Sequence, residues 1–142
     1  MNNFPRNRYE SDELLTLFDQ AKIQEEIKGT FYKLIEIDGV GVEIYLPTSK
    51  DGSVDRKDIS RARSILAQIN ELDNYFQGMC ELSYEKYEKS GSEAKDWIYY
   101  LSHIEITESE ALFQYYAMHG YPSEWVSIFR ENDSGNWERV NL

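Results

Sequence analysis

Thr30-Phe-Tyr-Lys-Leu-Ile-Glu-Ile-Asp-Gly-Val-Gly-Val-Glu-Ile-Tyr-Leu46 is the stretch that decides the fold. Its β-branched and aromatic runs, Thr30 to Asp38 and Val40 to Leu46, lie on either side of Asp38-Gly39, a dipeptide suited to the positive φ values of a tight hairpin turn. The segment therefore predicts a β-hairpin. Pro47 has no N–H to give a ladder and ends the pairing, and Thr48 to Val54, with Asp51-Gly52, predicts a polar loop.

Downstream of the hairpin, Asp55 is placed to cap a helix, with Asp58 in the position of a capping-box acid. Ile59, Ala62, Ile65, Leu66, Ile69, Leu72 and Phe76 fall within an arc of about 140° at 100° per residue, which is one apolar face. Carried on through Cys80, Tyr84 and Tyr87, the stripe would make a helix of ~50 Å. A chain of this length has a radius of gyration of only ~15 Å, so two helices or a kinked one are expected, with the break near Gly78. Upstream, Ser11 and Asp12 offer an N-cap, and Leu14, Leu15, Phe18 and Ala21 keep helical spacing. Ile23 and Ile27 drift off that stripe, and part of 11–28 reads as extended.

The remainder predicts strands at Trp97 to Thr107, Ala111 to His119, Trp125 to Glu131 and Trp137 to Leu142, the last two joined by the turn-forming Asn132-Asp133-Ser134-Gly135. In the first of these, Ile98, Tyr100, Ile104 and Ile106 alternate against Tyr99, Ser102, His103 and Glu105. The expected architecture is one α+β domain over residues 1–142, its first ten residues loosely ordered: an antiparallel sheet of about six strands with helices packed on one face.

Charge excludes several functions. The 142 residues carry 26 acidic against 15 basic side chains, a net charge of -11, with a pI near 4.6 and a mean hydropathy of -0.64. Such a chain repels phosphate backbones and anionic membranes, so no direct nucleic-acid or membrane partner is expected. No run approaches the ~20 apolar residues of a membrane helix and no export signal is visible. Cys80 is the one cysteine, so no internal disulfide can form and a reducing cytoplasm is the expected location. The acidity is uneven: residues 64–142 hold 14 acidic and 5 basic side chains.

Chemical motifs are sparse. His103 and Glu105 share a strand face and His119 could approach them, yet neither HExxH nor a cysteine pair is present, and no metal or cofactor is expected. Asp73 falls inside the apolar arc of the helix, which predicts a hydrogen-bonded carboxylate at the core or its rim. Cys80 lies on the same stripe and reads as a small buried hydrophobe. Neighbouring strand residues face opposite sides, so Tyr99/Tyr100 and Tyr115/Tyr116 cannot all be core, and some rings must be exposed. Exposed tyrosine and tryptophan among carboxylates fit a protein interface for a basic partner.

The hairpin Phe31 to Leu46, the helix with Ala62-Arg-Ser-Ile-Leu and Leu72-Asp73, the strand Trp97 to Thr107 and the terminal hairpin Trp125 to Val140 together resemble a group of small bacterial domains, several of them immunity proteins found beside polymorphic toxins. The resemblance implies an antidote that binds and blocks a cognate toxin. The expected function is thus an acidic, cytosolic protein-binding domain covering a basic toxin or nuclease active site through Glu105, Glu108, Glu110, Tyr115, Tyr121, Glu124 and Trp125. The alternative is a small enzyme or ligand-binding domain with Asp73, His103 and Glu105 in a pocket between sheet and helices. A homodimer through the terminal hairpin edge is a third.

Overall fold

A computed structural model describes residues 9–27, 30–37, 40–48, 52–87, 99–117 and 124–140, and within these the side chains at 37, 40, 87, 117, 124 and 125 are not described. The elements are α1 (Ser11–Gln20), β1 (Gln24–Ile27), β2 (Thr30–Ile37), β3 (Val40–Leu46), α2 (Arg56–Ala67), α3 (Ile69–Tyr87), β4 (Tyr99–Ile106), β5 (Glu110–Ala117), β6 (Glu124–Glu131) and β7 (Trp137–Arg139). The strands form a single seven-stranded sheet in chain order, antiparallel throughout except that β3 and β4 run parallel. A parallel neighbour needs a crossover, and α2 with α3 supplies it. The chain is α+β as expected, with one strand more than the sequence implied.

That extra strand is β1. Ile23 and Ile27 leave the α1 stripe because the helix ends at Gln20 and the chain turns extended. β1 is short, exposed along its length and bulged between Glu25 and Ile27, features that blunt a sheet edge against further pairing. Glu10, not Ser11 or Asp12, is the N-cap of α1, and it makes no side-chain cap. Tyr9, within the ten residues expected to be loose, is clamped by Asn70, which accepts from its N–H at 2.9 Å and donates to its carbonyl at 2.7 Å.

The quoted hairpin pairs as predicted, with Ile37 opposite Val40 and Phe31 opposite Leu46. Asp38-Gly39 itself lies outside the described residues. Asp55 caps α2, its carboxylate accepting from the Lys57 N–H at 2.9 Å. The helical break is at Gln68 rather than Gly78. Gln68 leaves helical torsions (φ -104°, ψ 12°) and shares its N–H between the Ser64 and Ile65 carbonyls. Gly78 sits inside α3 because Phe76 and Cys80 on either side of it are buried, and that burial outweighs the ~1 kcal/mol helix cost of one glycine.

Alternation sorts the sheet into two faces. Lys33, Ile35, Val42, Ile44, Leu46, Ile104, Ile106, Phe113, Tyr115 and Phe129 are buried and build the core with Phe18, Ile65, Leu66, Ile69, Leu72 and Phe76. Phe76 stacks on Tyr115 at 4.2 Å and meets Tyr99 edge-on at 5.3 Å. In β4 the expected alternation fails: a bulge between Leu101 and His103 shifts the phase, so Tyr99 and Leu101 join Ile104 and Ile106 inside while Tyr100 does not.

Two cations sit among these apolar groups. Lys33 donates to the Phe18 carbonyl at 2.7 Å and lies over the Phe18 ring at 4.3 Å, which satisfies a carbonyl at the end of α1 from β2. Burial lowers its pKa, opposed by nearby Asp19. Lys33→Met keeps the stem and loses the cap. We expect it to cost about 1–2 kcal/mol in urea denaturation, and an unchanged midpoint would show that the cap contributes nothing. Arg61, 6% exposed on α2, donates to the Thr107 carbonyl, to Glu131 at 3.2 Å and to Asp58 at 3.4 Å, and covers the Trp137 ring. It ties α2 to the end of β4, to β6 and to β7.

Candidate functional site

The helix contacts described above all fall on one face of the sheet, and among the described residues no helix packs on the opposite, open face. Alternation brings to it Tyr32 and Leu34 from β2, Glu43 and Tyr45 from β3, His103 and Glu105 from β4, Leu112, Gln114 and Tyr116 from β5, and Val126, Ile128 and Arg130 from β6. Leu34 is 45% and Tyr116 47% exposed, so this face presents apolar and aromatic surface to solvent.

Its centre is a row of rings. Tyr45 stacks on Tyr32 at 5.2 Å and on His103 at 4.5 Å, with interplanar angles of 28° and 25°. The Tyr45 hydroxyl lies 2.5 Å from a Glu26 oxygen and 2.7 Å from a Glu43 oxygen. One proton serves both acceptors, and these two hydrogen bonds, more than burial, hold the phenol well above its ordinary pKa. His103 Nε2 is 4.0 Å from Glu105. The rings are thus fixed face to face and rimmed by carboxylates.

Beside this row, at the carboxyl ends of β3 and β4, is a cavity of about 390 Å³ walled by Tyr45, Pro47, Thr48, Glu105, Thr107 and Glu108. It opens there because the two strands part. Pro47 cannot continue the ladder of β3, and the N–H of Thr107 turns to the Glu110 carbonyl at 2.9 Å, starting the next hairpin.

The residues picked from sequence distribute as follows. Glu105 and Glu108 are exposed and line the cavity. Glu110 is on the open face and ion-paired to Arg130 at 2.9 Å. Tyr115 is a correction: it is fully buried and donates to Asp73 at 2.7 Å, so it serves the core, while its neighbour Tyr116 is the exposed ring. The backbones of Glu124 and Trp125 pair with Tyr116 and Tyr115; their side chains, and all of Tyr121 and His119, lie outside the described residues.

Asp73 is 1% exposed at the α3–sheet junction, as its place in the apolar arc predicts. Burial pushes its carboxyl up to about 6, with the Tyr115 hydroxyl pulling the other way and the Gln77 amide doing so more weakly. Gln77 is close but its Nε2 makes no hydrogen bond of normal geometry among the described residues. Burial likewise raises the Cys80 thiol to about 12 and lifts the Tyr115 hydroxyl far above its usual range. Cys80 is a packed, unreactive thiol.

Asp73 therefore lies on the helix side of the sheet and His103 with Glu105 on the other. The three do not converge, and the pocket imagined between sheet and helices is not formed by them. Among the described residues no three His, Cys, Asp or Glu side chains gather as a metal would require, and no helix is long and apolar enough to cross a membrane. The residues missed from sequence are Tyr32, Glu43 and Tyr45. Their shared parity across the hairpin carried the signal, while the excess of acidic residues lies in the second half of the chain. No family model, curated protein or solved structure matches the chain.

Proposed function

We propose that the protein is a binding domain that docks a basic protein partner on the open face of its sheet, acting as an antidote that covers the active site of a toxin such as a nuclease. The observation that carries this is the Tyr32–Tyr45–His103 row, stacked and half-buried on the open face, within a rim of glutamates. Aromatic groups held rigid lose little entropy on binding and commonly anchor interfaces. Of the described cations the open face holds Arg130, which is already paired with Glu110, so the face attracts positive surfaces. A nuclease site built to bind phosphates presents such a surface, and an acidic face can occupy it in place of nucleic acid.

The test is co-expression with the product of the gene immediately upstream. Cells should be protected and the two proteins should copurify. Glu43→Lys with Glu105→Lys should weaken the complex ~100-fold, chiefly through slower association, and steepen no further with low salt. Absence of both protection and copurification overturns the reading, as does full affinity in the double variant.

A further inference from the structure

We propose that the cavity at the carboxyl ends of β3 and β4 is the anchor of this interface and takes one arginine or lysine side chain of the partner; the inference rests on the protein-binding reading above. A volume of about 390 Å³ is at the small end for ligand sites, which suits one long side chain entering from an apposed surface. Among the described residues its charged groups are carboxylates. Glu105 comes from β4 and Glu108 from the turn beyond it, on either side of Thr107, and Tyr45 forms the wall between the cavity and the aromatic row.

Among the described residues this negative charge has little compensation. Among the described residues Glu108 has no ion-pair partner, and Glu105 has His103 at 4.0 Å. Of the described cations, Arg130 is committed to Glu110, and Arg61 to Asp58 and Glu131. Arg61 has a second effect. By donating to the Thr107 carbonyl from within the core it braces the cavity's far wall, so the two carboxylates stand on a preorganised turn rather than a loose loop. A phosphate or carboxylate ligand is repelled by this lining. A metal would lack a third ligand among the described residues. A guanidinium or ammonium group satisfies both charge and size, and the charge-assisted hydrogen bonds it would form to carboxylates are the strong class.

The experiment is a titration of the ¹⁵N-labelled protein with N-acetyl-arginine amide, N-acetyl-lysine amide and the neutral N-acetyl-citrulline amide, read by amide chemical shifts. Saturable shifts confined to Tyr45, Thr48, Thr107 and Glu108 are expected from the cations, with citrulline at least ~10-fold weaker. The tighter of the two cations identifies the anchoring side chain. Glu105→Gln with Glu108→Gln should reduce cation binding ~10-fold or more at an unchanged melting temperature. Equal binding of citrulline, or shifts spread over every acidic patch, overturns the proposal. If the cavity ignores all three probes while the upstream gene product is still bound, the cavity assignment fails and the protein-binding reading stands. If the cations bind there but no partner or protection exists, the cavity is a cation site and the antidote reading fails.

Discussion

Arg61→Ala is expected to lower stability by about 3 kcal/mol, seen as a fall in urea midpoint with little change in slope. Removing one member of a buried charge network leaves the others uncompensated and typically costs ~3–5 kcal/mol. The lower end applies because Glu131 retains 32% of its side-chain exposure and can recover water. Three elements lose a tie at once: the Thr107 carbonyl at the end of β4, Glu131 on β6 and the Trp137 ring on β7. Arg61→Lys should recover less than half, since an ammonium is a point charge and cannot span these acceptors as a planar fork does. A loss below ~1 kcal/mol for the alanine variant would show that the network is incidental.

Asp73→Asn is expected to act in the opposite direction. Burial raises the folded-state pKa of Asp73 from 3.8 to about 6, so between these values the folded protein holds a proton that the unfolded chain has released. The contribution of this group is fully present below about pH 4 and is lost as pH rises through about 6, after which ionised Asp73 costs up to ~3 kcal/mol. Asparagine keeps an acceptor for the Tyr115 hydroxyl and carries no charge. The variant should gain about 1–2 kcal/mol at pH 7.5 and lose the slope between pH 4 and 6. Asp73→Ala is the control: it strands the Tyr115 hydroxyl, fully buried, without its partner, and should destabilise at every pH. A wild-type profile flat from pH 4 to 7 would refute the assignment of Asp73 as a buried titrating acid.

Local chemistry made much of the fold legible in the sequence. The hairpin around Asp38-Gly39, the Asp55 cap and the Asn132 turn all depend on a few adjacent residues; in the turn, Asn132 Oδ1 accepts from Ser134 and Asn136, and Gly135 takes φ 81°. The bulge at β4 was not legible, because an extra residue in one strand is defined only against its partner, and it exchanged the roles of Tyr99 and Tyr100. That Tyr115 and Tyr116 divide between the faces was legible, but Tyr115 is the inward member and not the exposed one expected; Ala111, Phe113 and Tyr115 share the parity that takes it inward. Half of the candidate site escaped for a related reason. The acidic excess lies after Arg63, whereas the open face draws Tyr32, Glu43 and Tyr45 from the first hairpin through the parallel pairing of β3 with β4, which no local signal encodes.

The β3–β4 junction has a kinetic consequence. The sheet's other pairings link strands that are neighbours along the chain, so each can zip from a turn. Joining Ile44 to Ile104 requires the ends of a segment of roughly 60 residues to meet, an entropic cost incurred before any contact rewards it. Two pre-formed halves docking late along one seam is the folding order this topology favours. The cavity lies at the end of that seam and has one wall from each half, so the means of recognising a partner comes into being only when the last step of folding is complete.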